Sequence, residues 1–307
     1  MKLFLYKAAI FFIGLFILGL LAESFIEKRL MQSKSRMLIG WNEIFSQELD
    51  YDLVINGNSR AWVHYNPMIF DSVLNINSYN LGIDGSSINR QVLKYNTYCK
   101  LNKNPKYIIQ NIDLFTLQKT IGYEREQFFP YFFDKEIKKH ITREENLNLM
   151  EALIPLIKYL GYRHLIFEAI GINREEELLI KGYKGQEKKW DSSAFKTIDK
   201  FEYAQNSSAI ALFDEYIKSV HGDSIKIVFV YAPLCIEATN KINNVEGMYM
   251  MYDSIARKYN IPILDYTYIP ISYDTAYFYN ATHLNKLGAE LFSTQLALDI
   301  KELEIFK

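Results

Sequence analysis

Short apolar runs that stop at Gly, Asn, Asp or Ser, each handing over to a helical pattern, most constrain what this chain can fold into. Residues 51–56 end in Gly57-Asn58-Ser59, residues 78–81 in Gly82-Ile83-Asp84-Gly85-Ser86-Ser87, and residues 107–112 run into Asp113. Between them, 61–74 reads as a helix or turn-helix broken near Pro67, and 88–101 as a helix whose N-cap is Ser86 or Ser87. The rhythm returns with a helix at 207–221, a β-branched strand at 225–231, a helix at 245–259, a fifth strand at 261–266 and a terminal helix at 285–306. Strand, small-residue turn, helix and strand in repetition is the pattern of a parallel sheet covered by helices. The expected fold is α/β: a three-layer sandwich around a mostly parallel five-stranded sheet. In the terminal helix, Leu287, Leu291, Leu296 and Ile300 form the expected apolar side.

The rhythm fails between about 115 and 205. There Phe128 to Phe133 is aromatic-rich around Pro130, and 143–172 reads as one or two helices with Leu149, Leu153, Leu156, Ile157 and Leu160 on an apolar face. Residues 182–191 form a polar, Gly-bearing loop around Trp190. The stretch is too long for a simple crossover and reads as a largely helical insertion, with a lid, a docking surface, a membrane-resting element or plain structure as its roles. Lys158, Arg163, His164 and Glu168 exclude a second membrane-spanning helix.

The amino terminus carries a different signal. Residues 8–22 are apolar or small without interruption, and Leu3 to Tyr6 extend the run past Lys7. As a helix, 3–26 would reach roughly 36 Å, enough to cross a bilayer core. A cleaved signal peptide would place Leu20 where a small residue is expected before a cut after Ala22, so an uncleaved anchor over 1–26 is the expectation. An amphipathic stalk helix at 27–50 would follow, with Phe25, Leu30, Met37, Leu38, Trp41 and Phe45 along the apolar side of the helical stretch that begins at Glu23. The α/β domain would then occupy 51–307, with its insertion at about 115–205. Lys2 and Lys7 precede the apolar run while Lys28, Arg29, Lys34 and Arg36 follow it, so the charge pattern leaves the orientation open.

Apolar residues at 49% supply ample material for a core, and a net charge of -1 without a basic stripe gives no argument for nucleic acid. Cys99 and Cys235 are too few for a disulfide framework, and no spacing of Cys and His suggests zinc. No metal or cofactor is expected.

Two places carry chemistry. Ser59 follows the first strand, at the sheet edge where ligands of α/β proteins bind, and is a candidate nucleophile; Gly-Asn-Ser is equally ordinary turn chemistry. His283, in Asn280-Ala281-Thr282-His283, stands in a loop just before the terminal helix. A nucleophilic serine needs a base that takes its proton near neutral pH, and imidazole is the usual one. The plain alternative is that His283 caps the helix. His64, His140, His164 and His221 read as surface or core residues without a role.

With Gly57-Asn58-Ser59, Gly82 after the second strand and Asn280-Ala281-Thr282-His283 before the last helix, the chain resembles the SGNH hydrolase superfamily, the GDSL-like esterases. The resemblance covers about 51–114 and 205–303. In wider layout it is similar to the membrane-anchored, extracytoplasmic branch that includes the D-alanyl-transfer protein of teichoic-acid modification. The resemblance implies Ser59 as nucleophile, His283 as base and Asn280 orienting the ring. It implies an oxyanion hole from the N–H groups of Ser59 and Gly82 with the Asn111 side chain. It also implies a single-pass protein of the cytoplasmic membrane whose domain faces outward. Such a domain acts on acyl esters of envelope or exported glycans, by hydrolysis or transfer, beside a membrane-bound O-acyltransferase. Two positions depart from the family. Asn280 stands where the family has aspartate, so the ring loses a charged partner unless Asp265 or Asp274 substitutes. The third block reads Gln110-Asn111-Ile112-Asp113, and an ionised Asp113 would repel an oxyanion unless turned away. Arg60 would bind a carboxylate or phosphate of the acceptor, or serve as an ion-pair partner. These departures leave a second expectation: a catalytically weakened domain that binds glycan or docks a membrane acyltransferase.

Overall fold

Leu53, Val54 and Ile55 make the first strand, β1 (Leu53–Asn56), apolar on both faces, as the interior of a parallel sheet requires. The computed structural model describes residues 1–118, 124–145, 147–172, 176–193, 200–202 and 206–306. The chain divides into two compact units, Met1–Ser46 with Ile121–Leu178, and Gln47–Thr120 with Leu179–Lys307.

In the larger unit, β1 is flanked by β2 (Ser78–Asn80) and β3 (Tyr107–Asn111). A two-residue strand, β4 (Phe201–Glu202), precedes the long β5 (Lys226–Tyr231); β6 (Ile242–Asn243) pairs with β4, and β7 (Ile263–Asp265) with β5. The main sheet has the order β2-β1-β3-β5-β7, and every pairing in it is parallel. Alternation along the strands divides the core into two layers. Leu53, Ile55, Ile109, Val228 and Val230 pack with Phe292, Leu296 and Ile300 of the terminal helix, Lys286–Glu302. On the other face Phe229 meets Phe213, ring centroids 5.5 Å apart, and Phe213 meets Tyr252, joining the helices Ser207–Gly222 and Val245–Tyr259. The three-layer α/β expectation therefore holds. The apolar side of the terminal helix differs from that expected: Leu287 and Leu291 are exposed, and Ala289, Phe292, Leu296, Ala297 and Ile300 are buried in their place, a one-face repeat of threes and fours.

Order reverses between β1 and β3, because β2 lies on one side of β1 and β3, β5 and β7 on the other. That switch point opens a crevice at the carboxyl ends of two adjacent strands, where α/β proteins bind ligands. β1 delivers Ser59 there, and β3 delivers Asn111 and Asp113. The helix after β1 is indeed split at Pro67, into Ser59–His64 and Pro67–Leu74, each opened by an asparagine whose side chain accepts a backbone N–H.

In the smaller unit, the helix Lys2–Leu30 is long and apolar enough to cross a membrane. The expected continuous stalk helix is instead interrupted: after Leu30 the chain turns and re-enters helix only at Ile39–Phe45. Asn42 accounts for the turn, since its Nδ2 donates to the carbonyls of Leu30 at 2.9 Å and Ser33 at 2.8 Å, closing the end of the first helix. Trp41 packs on Phe128 with centroids 5.3 Å apart and donates to Gln127 Oε1, fastening this turn to the insertion. The stretch 143–172 forms several short helices, including Leu149–Leu153 and Arg163–Ala169. Its expected apolar face does not close into a core, because Leu149, Leu153 and Leu160 are 72%, 60% and 69% exposed. Not all of 115–205 behaves as an insertion either: the described residues from Leu179 onward belong to the sheet-bearing unit, where Lys181 bonds Asp71 and Asn77.

Candidate active site

Ser59 opens the helix Ser59–His64 directly after the β1 turn. Its side chain is half-buried, and its N–H lies in the first helical turn, where no intrahelical carbonyl is available to it. Gly57 makes the turn possible, since a Cβ there would lie 2.8 Å from Asn111 Cβ and 2.7 Å from Ala61 Cβ.

His283 belongs to a small antiparallel pair, β8 (Phe278–Asn280) with β9 (His283–Leu284), in which Asn280 opposes His283. This pair replaces the loop in which His283 was expected, and it is what fixes the ring. The histidine does not cap the terminal helix, a role taken by Asn285, whose side chain accepts the Gly288 N–H.

His283 Nε2 lies 2.8 Å from Ser59 Oγ, and His283 Nδ1 lies 3.0 Å from Asn280 Oδ1. The tautomer follows from the neighbours. The Thr282 backbone N–H donates to the same Asn280 atom at 3.0 Å, so that atom is the oxygen. Facing an acceptor, Nδ1 carries the proton in the neutral ring, and Nε2 presents its lone pair to the Ser59 hydroxyl. Burial pushes the His283 pKa down to about 4; Asp84 and Asp113 pull it upward, Arg60 and Lys188 push it further down. At neutral pH the ring is a neutral base. Neither alternative acid is engaged with it: Asp265 accepts from Thr267, and Asp274 from the Ala276 N–H.

The remaining expected site residues have other partners. The Gly82 N–H donates to Asn80 Oδ1 at 2.8 Å. A Cβ at Gly82 would lie 2.3 Å from Trp62 N, so the residue is glycine for close passage of two backbones. The Asn111 side chain accepts from Tyr65 Oη at 2.9 Å and donates to Asp113 Oδ2 at 3.1 Å. Asp113 is turned away from Ser59 in its bonding. It accepts from Asn58 Nδ2, Asn111 Nδ2, Thr116 Oγ1 and the N–H groups of Phe115 and Thr116, and pairs with Arg60 at 3.4 Å. Arg60 is buried and also donates to the carbonyls of Ala232 and Pro233, which makes it an ion-pair and bridging residue.

Four neighbours escaped sequence reading. His64 is fully buried; its Nε2 accepts the Leu284 N–H at 3.0 Å and so holds the backbone beside His283. Tyr279 stacks on the His283 ring at 5.4 Å, and Lys188 Nζ lies 5.6 Å from the centre of the Tyr279 ring. Asp84 sets the largest favourable charge on His283. His64 alone had a readable signal, its place on the helix that Ser59 opens. A cleft of about 540 Å³ lined by Lys188, Trp190, Asp274 and Lys286 does not include Ser59 or His283 in its walls, and Lys188 is its link to the stacked rings.

No family model matches this chain. No curated protein matches it either. Among solved structures, one from Bacteroides fragilis, provisionally described as an acylhydrolase, is similar at 11% identity and a TM-score of 0.43, covering 83% of this chain and 89% of that one. A likeness this remote carries no argument about chemistry, which rests on the distances between Ser59, His283 and Asn280.

Proposed function

We propose that this protein is a membrane-anchored serine esterase or O-acyltransferase of the SGNH type, acting on acyl esters of cell-envelope or exported glycans. The observation that carries the reading is the relay Ser59 Oγ, His283 Nε2, His283 Nδ1, Asn280 Oδ1, with both links at hydrogen-bond length. Ser59 Oγ attacks the ester carbonyl as its proton passes to His283 Nε2. The tetrahedral oxyanion is held by the Ser59 N–H and by the Gly82 N–H, which Asn80 would share, with the Asn111 amide as the third candidate. Collapse expels the alcohol, which takes the proton from His283 and leaves an acyl-serine. Water hydrolyses that ester, or a carbohydrate hydroxyl captures it; in either case His283 removes the incoming proton.

Asn280 orients the ring but supplies no charge to the imidazolium, so the carboxylates of Asp84 and Asp113, which favour the charged ring, provide the electrostatic support. The outward-facing domain and a membrane-bound O-acyltransferase as partner are part of the proposal and rest on the family resemblance.

A second reading has its own observation. The Gly82 N–H and the Asn111 amide already bond protein atoms, as expected of a domain that binds glycan or docks an acyltransferase without catalysis. Labelling the full-length protein with a fluorophosphonate separates the two. Labelling that disappears in Ser59→Ala and His283→Ala is the result expected of the enzyme; folded wild-type protein that never labels points to the binding domain.

A further inference from the structure

We propose that the exposed apolar face of the insertion around Leu153 lies in the lipid bilayer beside the N-terminal helix, as a second membrane contact. The inference rests on the anchoring of that helix and not on the catalytic reading.

Three observations within the smaller unit carry it. The first is a contact at membrane depth. Pro155 packs on the backbone of Gly19, where an added Cβ would lie 3.0 Å from Pro155 Cβ. A hydrocarbon core about 30 Å thick takes about 20 helical residues. Counted from Leu3, just after Lys2, that core ends near Ala22, so Gly19 and the loop touching it sit roughly 5 Å inside its edge.

The second is a clamp that holds the loop there. Lys158, buried, pairs with Glu23 at 2.7 Å and Glu27 at 2.6 Å, and the Leu156 N–H donates to Glu23 Oε2 at 2.7 Å. These charges satisfy one another at the level where the helix leaves the core. The loop is thereby tied to the anchor by polar bonds on one side and presents apolar atoms on the other.

The third is the face itself. Met150 and Leu153 are spaced to share one side of the helix Leu149–Leu153, Ile154 is its C-cap, and the three are 60%, 60% and 39% exposed. Glu151, off that side, is directed to Arg125 at 2.7 Å. In water this face would be a costly apolar surface; at an interfacial depth of about 5–10 Å it is what a membrane-resting helix presents. Lipid is the occupant because Pro155, next to Ile154 in the chain, touches at Gly19 a helix that is apolar all round over residues 8–22.

The test uses the full chain with Cys99→Ser and Cys235→Ser, reconstituted in phosphatidylcholine vesicles. A fluorophore is placed singly on Phe12→Cys, Leu153→Cys, Ile154→Cys and, as a water-exposed reference, Lys139→Cys. Quenching by lipid doxyl groups placed near the headgroup and near the end of the acyl chain, the second reading position 12, is compared with quenching by aqueous iodide. The expected result is strong doxyl and weak iodide quenching at 153 and 154, reversed at 139. Iodide quenching at 153 and 154 with lipid quenching at 12 would overturn the proposal while leaving the anchor standing. Iodide quenching at all positions would remove the anchor and the proposal together. Protection at 153 that needs added native membrane proteins would assign the face to a protein partner and overturn the lipid assignment.

Discussion

Along the carboxyl edge of the sheet, the buried polar side chains of Asn58, Arg60, Asn111 and Asp113 bond one another and Asn80 bonds the backbone of Ala61, Tyr65 and Gly82, whereas in the unit built from the N-terminal helices large apolar side chains such as Leu149, Leu153 and Leu160 stand exposed. In the first region the polar groups removed from water are compensated inside the protein, apart from Arg60 Nε, and the shared bonds fix their geometry. In the second, apolar groups are left without protein neighbours, which is tolerable where the surroundings are not water. Rigid polar placement suits a nucleophile and its base; an uncompensated apolar face suits an anchor.

The contrast can be broken most forcefully at Ser59. Ser59→Ala is expected to lower ester hydrolysis on the order of 10³-fold or more in kcat/KM without changing the urea midpoint, with His283→Ala close behind. Equal activity in wild type and both variants would end the catalytic reading. The polar hub is tested through stability. Asp113→Ala leaves Arg60 buried without its carboxylate and should cost about 3–5 kcal/mol by urea unfolding. An exposed pair such as Arg257–Asp253, broken by Asp253→Ala, should cost well under about 1 kcal/mol.

His64→Leu strands the buried Leu284 N–H and should cost about 1–3 kcal/mol, with kcat reduced more than KM is raised because the backbone beside His283 shifts. The two histidines also set an acid limit. Burial holds His283 at about 4 and His64 well below its ordinary value, so both stay neutral in the native state where the unfolded chain takes up protons. Stability is then full above about pH 6.5 and declines as pH falls toward 4, steeply in wild type and less so in His64→Leu. Urea midpoints across that range read it directly. Activity should be flat above pH 6 and fall only as His283 protonates. At Asn280 the expected effect is a gain: Asn280→Asp supplies a charged partner, raises the pKa of His283 and increases kcat by roughly 10-fold, read from the acid limb of the pH–rate profile.

The sheet strands were legible from composition and punctuation alone. Runs such as Ile225 to Tyr231 are buried on both faces and bounded by turn residues, and such runs have few alternatives to a parallel strand. Residues 143–172 were less legible, because an apolar periodicity says that a face avoids water without saying what covers it. Leu149 and Leu153 have the spacing of a core face and are exposed. Ser59 and His283 were visible as residue types at strand and helix ends. Their 2.8 Å approach was not, since it depends on the local β8–β9 pair being carried to Ser59 and on the His64–Leu284 bond, which joins segments 220 residues apart in the chain.

The chain order by itself determined the α/β rhythm, the apolar amino-terminal helix and the short set of groups able to act as nucleophile and base, because these follow from local pattern and side-chain chemistry. Only the tertiary structure decided which partners those groups have. It put Asp113 onto Arg60 and Asn58, brought His283 to Ser59 and gave the Leu284 N–H to His64, because hydrogen bonds are satisfied by whatever folding brings within about 3 Å.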